Sequence, residues 1–311
     1  RDRHALVIGS DKYSRWPALQ HAVREARAVQ EALVGKLGFK AQNVTMLLDG
    51  EATRGNILKA LNEKLTDAKQ VRRDDRVFVF YAGHGGTRKL ASGRDVGYLI
   101  PVDAPLNDFA SEAVSMPQLQ EVAEAISAKH VLFVVDACYS GLGLTRAGGQ
   151  PGAKNFLADN ARRLGRQMIT AGGADQQVAD DGPGGHSVFT WTLLQAVGGR
   201  AENNHNGDLS GSDLAAYVAP SVAAIARQTP AFGSLPGSEG GEFIFELPTE
   251  REGLSADSGQ LDAQASQLAK RIDEARPAAA TQVVLKNLEG GDTKIATPAA
   301  AELPPRVAAQ R

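Results

Sequence analysis

Two side chains that could carry out covalent chemistry stand at the ends of apolar runs. Cys138, the single cysteine among 311 residues, closes the run VLFVVDAC, and His84 follows the run RVFVFYA inside the stretch GHGG. A thiol attacks as its thiolate, and a neighbouring histidine can hold its proton and later protonate the leaving group. The two residues therefore predict nucleophilic acyl transfer, with Cys138 as the nucleophile and His84 as the general acid/base.

The backbone around this pair offers a further catalytic device. The N–H groups of Gly85 and Cys138 are candidates for an oxyanion hole. Glycine also lets the backbone of the GHGG loop approach a ligand closely.

A lone cysteine can also have other roles. Most such cysteines are small buried hydrophobes. A cysteine-dependent phosphatase needs an arginine six residues after the cysteine, but Leu144 stands there and Arg146 comes later. One thiol and scattered histidines lack the spacing of a metal site, so we predict no metal bound at Cys138.

The surrounding pattern alternates short apolar runs with longer helical stretches. The predicted strands are His4–Gly9, Asn43–Leu48, Arg76–Ala82, His130–Ala137, Arg166–Ala171 and Glu242–Leu247. The predicted helices are LQHAVREARAVQEALVGKL, TRGNILKALNEKL with Thr53 as N-cap, SMPQLQEVAEAIS and SVFTWTLLQAV. This alternation is typical of a parallel sheet covered by helices on both faces. Ligands bind beyond the carboxyl ends of such strands, where His84 and Cys138 both lie.

Composition narrows the classes of partner. Apolar residues make up 42% of the chain and the formal net charge is −2, so no basic excess favours nucleic acid. No apolar run is long enough to cross a bilayer, and one cysteine cannot form an internal disulfide. We expect no nucleic acid or membrane partner and a cytoplasmic location, although a chain that begins at Arg1 leaves a removed leader open.

The two motifs together resemble the signature strands of the caspase-like cysteine peptidases, in the bacterial metacaspase-like (orthocaspase) branch. FVFYAGHGG and VLFVVDACYSG carry the resemblance, and ALVIGSDKYSRWPALQHAVREA, VGYLIPVDA, MITAGGADQQVADD and GGEFIFEL extend it. It implies an α/β caspase-like fold of three layers, with a mostly parallel six-stranded sheet. It also implies a peptidase domain over 1–248, divided into a large-subunit-like part (about 1–145), a linker (about 146–165) and a small-subunit-like part (about 166–248).

The resemblance also implies what is cut. In the metacaspase branch, an acid two residues before the cysteine and a second acid on the first helix bind a basic residue before the scissile bond. Asp136 and Glu25 occupy these positions here, with Glu25 replacing the family's aspartate. The family's serine two residues before the histidine is Ala82. Asp11, at the end of the first strand, is a third candidate for this rim. We therefore expect a protein or peptide substrate with Arg or Lys before the cleaved bond.

Two other functions remain open at this point. One is a catalytically silent binding or signalling module that kept the fold, and the other is a cysteine hydrolase acting on something other than peptides. The oligomeric state is not predicted.

Regulation has two candidate features. The glycine-rich, basic segment between the cysteine strand and the next strand predicts self-cleavage, after Arg146, Lys154, Arg162, Arg163 or Arg166. The chemistry needs no cofactor, but calcium is a candidate activator. Its candidate loop has oxygen donors at Glu202, Asn204, Asn206, Ser210 and Asp213, and Asp95 and Asp103 lie in a second acidic region.

The Ala- and Pro-rich tail, 249–311, is expected to be partly helical or disordered and is given no function.

Overall fold

We analysed a computed structural model of the chain. The structure describes residues 1–138, 162–172, 182–201, 207–226 and 228–247, with Cys138 described in its backbone only. All of them belong to one unit of the chain, Arg1–Arg271. The strands are β1 Arg3–Gly9, β2 Val44–Leu48, β3 Arg76–Ala82, β4 Gly85–Lys89, β5 Asp95–Leu99, β6 Val114–Ser115, β7 His130–Cys138, β8 Gly165–Gly172, β9 Asp208–Ser210, β10 Ala231–Ser234 and β11 Ile244–Glu246. The helices are α1 Ala22–Gly35, α2 Arg54–Lys59, α3 Met116–Ala125, α4 Val188–Gln195 and α5 Gly211–Ile225.

Six strands form the central sheet, in the order β10-β8-β7-β3-β1-β2. Five of them run parallel and β10 pairs antiparallel with β8. The residues of β3 are all buried, as its unbroken apolar run predicts for a strand covered on both faces. The predicted α/β fold, with a mostly parallel six-stranded sheet, is confirmed.

Alternate residues of each strand feed two separate cores. On β1, Ala5 and Val7 pack in a core that includes residues of α1, α4 and α5. Leu6 and Ile8 pack in a second core that includes residues of α2 and α3. The helices thus cover both faces of the sheet and give the three layers that were expected.

The sixth strand of the sheet was not among the predicted strands. The predicted strand at Glu242–Leu247 forms β11, which pairs with β9 in a separate two-stranded sheet. The sixth place is taken by β10, whose sequence AFGS lacks a β-strand pattern. Its conformation depends on pairing with the edge of β8, from Ala231 opposite Thr170 to Ser234 opposite Gln167.

Close approach of α1 to β1 brings that helix to the carboxyl edge of the sheet. A Cβ atom at Gly9 would lie 2.6 Å from the Ala22 carbonyl oxygen and 2.6 Å from the Ala26 Cβ. Only glycine allows this separation. The first turn of α1, which carries Glu25, is therefore held directly beside the end of β1.

The loop that carries His84 leads into a small antiparallel sheet, β4-β5-β6. The Tyr81 hydroxyl lies within hydrogen-bond distance of the carbonyl oxygens of His84, at 2.7 Å, and Ile100, at 2.9 Å, which share its single proton. The loop is thereby tied at its base. None of the helices in the described ranges combines the length and apolar character needed to cross a membrane.

Candidate active site

The sheet register brings the ends of β3 and β7 to the same level. Ala82 is paired with Asp136, and His84 and Cys138 each follow two residues later. The Gly83 N–H donates to the Asp136 carbonyl oxygen at 3.3 Å and extends the pairing one step further. The two strands are therefore neighbours in the sheet, and their carboxyl ends lie at one edge. The side chain of Cys138 lies outside the described residues, so its role as nucleophile stays a prediction.

The His84 ring is oriented by the segment between β1 and α1. Its Nε2 lies 2.7 Å from the Pro17 carbonyl oxygen. A carbonyl only accepts hydrogen bonds, so Nε2 must carry the proton in this contact. Neutral imidazole then keeps its lone pair on Nδ1, which is the state a general base requires.

Two aromatic rings hold the imidazole in this orientation. The Tyr13 ring centroid lies 4.7 Å from that of His84, and the Trp16 centroid lies 5.3 Å away. The Tyr13 hydroxyl also accepts a hydrogen bond from the His84 backbone N–H, at 2.8 Å. Burial raises the pKa of Tyr13 to about 12, so the hydroxyl keeps its proton at neutral pH. The segment therefore fixes both the ring and the backbone of His84.

Glu25 lies on the buried side of α1, together with Ala22, Ala26 and Val29. It is only 1% exposed, which is rare for a glutamate without partners. Its Oε1 accepts the backbone N–H of Ser187 at 2.8 Å, and its Oε2 lies 2.8 Å from Nδ1 of His186. Both partners belong to the start of α4, 161 and 162 residues away in sequence.

Asp136 is 5% exposed at the end of β7 and contacts the same helix terminus. Its Oδ2 accepts hydrogen bonds from the hydroxyls of Ser187, at 2.5 Å, and Thr190, at 2.6 Å. Ser187 is also the N-cap of α4, where its hydroxyl accepts the Thr190 N–H. Glu25 and Asp136 are therefore brought together, since both carboxylates bond to Ser187.

Asp11 has a different environment from the other two acids. Its carboxylate accepts the N–H groups of Ala22, at 2.8 Å, and Val23, at 3.2 Å, at the start of α1. The Asp49 carboxylate in turn accepts the Asp11 N–H. These contacts cap the helix that carries Glu25, so the observed contacts of Asp11 position that helix. Its contact with substrate stays a prediction, as does the oxyanion role of Gly85, the first residue of β4.

The candidate calcium ligands are only partly described. Glu202, Asn204 and Asn206 lie outside the described residues. Ser210 and Asp213 bond to each other in a capping box at the start of α5. Within the described ranges, no group of three or more His, Cys, Asp or Glu residues is arranged to hold a metal ion.

The predicted cleavage sites differ in exposure. Arg162 and Arg163 are exposed just before β8, whereas Arg166 is 4% exposed within that strand. The Arg166 guanidinium donates to the carbonyl oxygens of Ile126 and Lys129. Arg146 and Lys154 lie outside the described residues.

Sequence reasoning missed several residues of this site. The contact from Pro17 to His84 is made by a backbone carbonyl, which no residue type encodes. Tyr13 and Trp16 are polar-tipped aromatics in a loop, a signal for a partly buried site that could have been used. His186 immediately precedes a predicted helix, and Ser187, the first residue of that predicted helix, has the type of an N-cap.

Comparisons with known proteins agree with this geometry. The model of a peptidase family described as the caspase domain matches residues 2–235. Metacaspase-7 of Arabidopsis thaliana is 28% identical over 152 residues, which cover 45% of this chain and 35% of that protein. Metacaspase-1 of Schizosaccharomyces pombe is 25% identical over 150 residues, covering 45% and 34%. The match therefore spans about a third of the length of these relatives.

A solved structure supports the fold independently. The protein GSU0716 of Geobacter sulfurreducens matches 76% of this chain and 94% of its own, with a TM-score of 0.51. Its sequence identity of 18% makes this a likeness of fold alone.

Proposed function

The chain belongs to the caspase domain family of peptidases, and from that premise we propose that it is a cysteine endopeptidase that cuts after arginine or lysine. The observation that carries the proposal is the meeting of three groups at one edge of the sheet. His84 stands beyond β3, the end of β7 carries Asp136 and Cys138, and Glu25 reaches the same helix terminus as Asp136.

In the proposed mechanism, His84 and Cys138 act in two half-reactions. The thiol of Cys138 gives its proton to Nδ1 of His84, and the thiolate attacks the peptide carbonyl carbon. The carbonyl oxygen becomes an anion that the N–H groups of Gly85 and Cys138 stabilise. His84 then protonates the leaving amine, and a thioester remains on Cys138. Water, deprotonated by His84, hydrolyses the thioester and restores the thiol.

The Pro17 carbonyl supports this role for His84. It accepts the hydrogen bond from the proton on Nε2, at 2.7 Å, and so favours the tautomer in which Nδ1 is unprotonated. It also stabilises the imidazolium that forms when the thiol is deprotonated, since a charged donor makes the stronger hydrogen bond.

Two buried carboxylates support the preference for a basic residue. A buried site that carries net negative charge and holds little water binds a guanidinium or ammonium group more strongly than a neutral or acidic side chain. Glu25 and Asp136 supply this charge, and Asp11 holds the helix from which Glu25 projects.

The alternative is a catalytically silent module that uses the caspase fold for binding. One observation favours it. The same carboxylates accept hydrogen bonds from the start of α4, so they would be retained for stability even without a substrate.

Cleavage of matched fluorogenic peptides that end in Arg, Lys or Asp separates these functions. We expect the wild type to cut after Arg and Lys and not after Asp, and Cys138→Ala to cut none of them. Turnover after Asp alone would refute the acidic pocket and spare the catalytic pair. Absence of all turnover would favour the silent module.

Regulation by calcium, self-cleavage and a cytoplasmic location belong to the same proposal. The peptide assay is repeated with calcium and with a chelator, and an unchanged rate would refute calcium activation. No step of the chemistry above depends on the ion.

A further inference from the structure

His186 lies over the carboxylate on which the basic preference depends. Its Nδ1 is 2.8 Å from the Glu25 Oε2, and its own side chain is 18% exposed while that of Glu25 is 2% exposed. The imidazole is thus the more accessible member of the pair. A substrate cation that reaches Glu25 must share the carboxylate with His186 or displace it.

The charge of His186 determines which of these occurs. A carboxylate only accepts hydrogen bonds, so Nδ1 carries a proton in the neutral ring as well as in the charged one. The neutral ring donates to Glu25 and leaves its negative charge in place. The charged ring forms an ion pair that cancels this charge, and histidine is the side chain whose ordinary range of protonation spans about pH 5 to 8.

The groups that face His186 come from α1 and β7. Glu25 contacts it directly, and Asp136 is connected to it through Ser187. Arg24, on α1, donates to the carbonyl oxygen of Gly185, the residue before His186. Of these charged groups, only Glu25 contacts the ring directly.

We propose that His186 is a specificity-determining residue, which makes recognition of a basic side chain depend on pH. The inference rests on the proposed function, because it concerns the same pocket. When uncharged, the ring orients Glu25 for the substrate's guanidinium or ammonium group. When charged, which acid favours, the ring occupies Glu25 and competes with that group, so discrimination in favour of arginine weakens as the pH is lowered.

The test compares kcat/KM for two peptides. The effect of pH on the catalytic pair is common to both peptides and cancels in the ratio. For matched peptides ending in arginine and in citrulline, its uncharged analogue, kcat/KM is measured from about pH 5.5 to 7.5. His84 and Cys138 act on both peptides, so the ratio reports the pocket. We expect the wild-type ratio to fall about tenfold at the acidic end, because an ion pair between the charged ring and Glu25 removes the charge that favours arginine over citrulline.

Replacement of the histidine should remove this response. In His186→Gln the amide donates a neutral hydrogen bond at every pH, so we expect the ratio to change less than about threefold. His186→Ala provides a second variant with no donor, and the same flat profile is expected. His4→Gln is the matched control, because His4 lies 3.5 Å from the Asp75 carboxylate at the other end of β1, and it should keep the wild-type response.

The possible outcomes distinguish a failure of the role proposed for His186 from a failure of the proposed peptidase function. A ratio that falls equally in the wild type and in both His186 variants would overturn the role of His186 and leave the peptidase intact. A wild-type ratio that stays constant would do the same. Absence of cleavage after arginine at every pH would overturn the proposed function and this inference with it.

Discussion

At the scale of single residues, the proposed specificity depends on charge that the fold keeps out of water. Glu25 and Asp136 are almost completely buried, and each bonds to the N-terminus of α4. Their amide analogues keep the shape and one acceptor oxygen but lose the charge. Replacing each carboxylate by its amide therefore tests the effect of the charge on substrate binding with little change in the shape of the site.

We expect Glu25→Gln and Asp136→Asn each to lower kcat/KM for arginyl peptides by at least about tenfold, or about 1.4 kcal/mol. The matched control is Glu31→Gln, an exposed position on the same helix, which should change kcat/KM by less than about twofold. Peptide kinetics and thermal melts are measured for all three. A pocket role is refuted if the two amide variants fold normally and keep the full preference for arginine.

Tyr13 should make the stability of the folded chain depend on pH in the alkaline range. Its hydroxyl is buried although the residue as a whole is partly exposed, and burial raises its pKa to about 12. In the unfolded chain it ionises near pH 10. The folded state therefore holds the proton more tightly, and this contribution is complete below pH 10 and lost as the pH rises toward 12.

Tyr13→Phe should reduce that alkaline loss of stability by up to about 2 kcal/mol. At neutral pH the same variant should be less stable by about 1–3 kcal/mol, because the His84 N–H loses its acceptor. Urea unfolding at neutral and alkaline pH measures both effects. If the free energy of unfolding falls equally in wild type and variant between neutral and alkaline pH, the loss does not come from Tyr13 and the prediction is wrong.

At the scale of elements, the contact of α1 with β1 sets the position of Glu25. Gly9→Ala would place a methyl group against the backbone and side chains of the first two turns of α1. Overpacking of this kind costs about 1–3 kcal/mol. We expect a lower Tm and a weaker preference for arginine over citrulline, because α1 must move away from the sheet edge.

Gly35→Ala is the control within the same helix. A Cβ atom there has no neighbour within 4 Å, so the variant should be as stable as the wild type or slightly more stable. Its peptide preference should not change. If Gly9→Ala also leaves Tm and preference unchanged, the position of α1 does not control the pocket.

The elements also show what the sequence could predict. Long apolar runs such as Arg76–Ala82 specify buried strands by themselves, and His84 and Cys138 then share an edge because parallel strands end together. The strand β10 could not be predicted, because its four residues depend on the partner strand β8. The bond between His186 and Glu25 joins residues 161 apart, and no local pattern specifies it.

At the scale of the whole molecule, exposure decides where self-cleavage can occur. Arg166 is held inside β8 by two carbonyl oxygens, so cutting after it would require the strand to leave the sheet. Arg162 and Arg163 are exposed just before that strand. Arg162 and Arg163, near the carboxyl-terminal end of the proposed linker, are therefore accessible, whereas Arg166, just after it, is not.

We expect intact-mass analysis of incubated protein to give fragments cut after Arg162, Arg163 or a basic residue before them. No fragment should begin at Gln167, and Cys138→Ala should give no fragments. A major product that begins at Gln167 would show that β8 is released before cutting and would contradict this account.

The most direct test of the central claim uses the single cysteine of the chain. A peptidyl chloromethyl ketone ending in arginine is incubated with the protein, and intact mass reports whether one label is added. We expect Cys138 to be labelled at least about tenfold faster by this reagent than by its aspartyl counterpart, with the advantage lost in Glu25→Gln and the rate reduced in His84→Ala. Equal rates for the two reagents, unchanged in both variants, would contradict an acidic pocket beside a histidine-activated thiol.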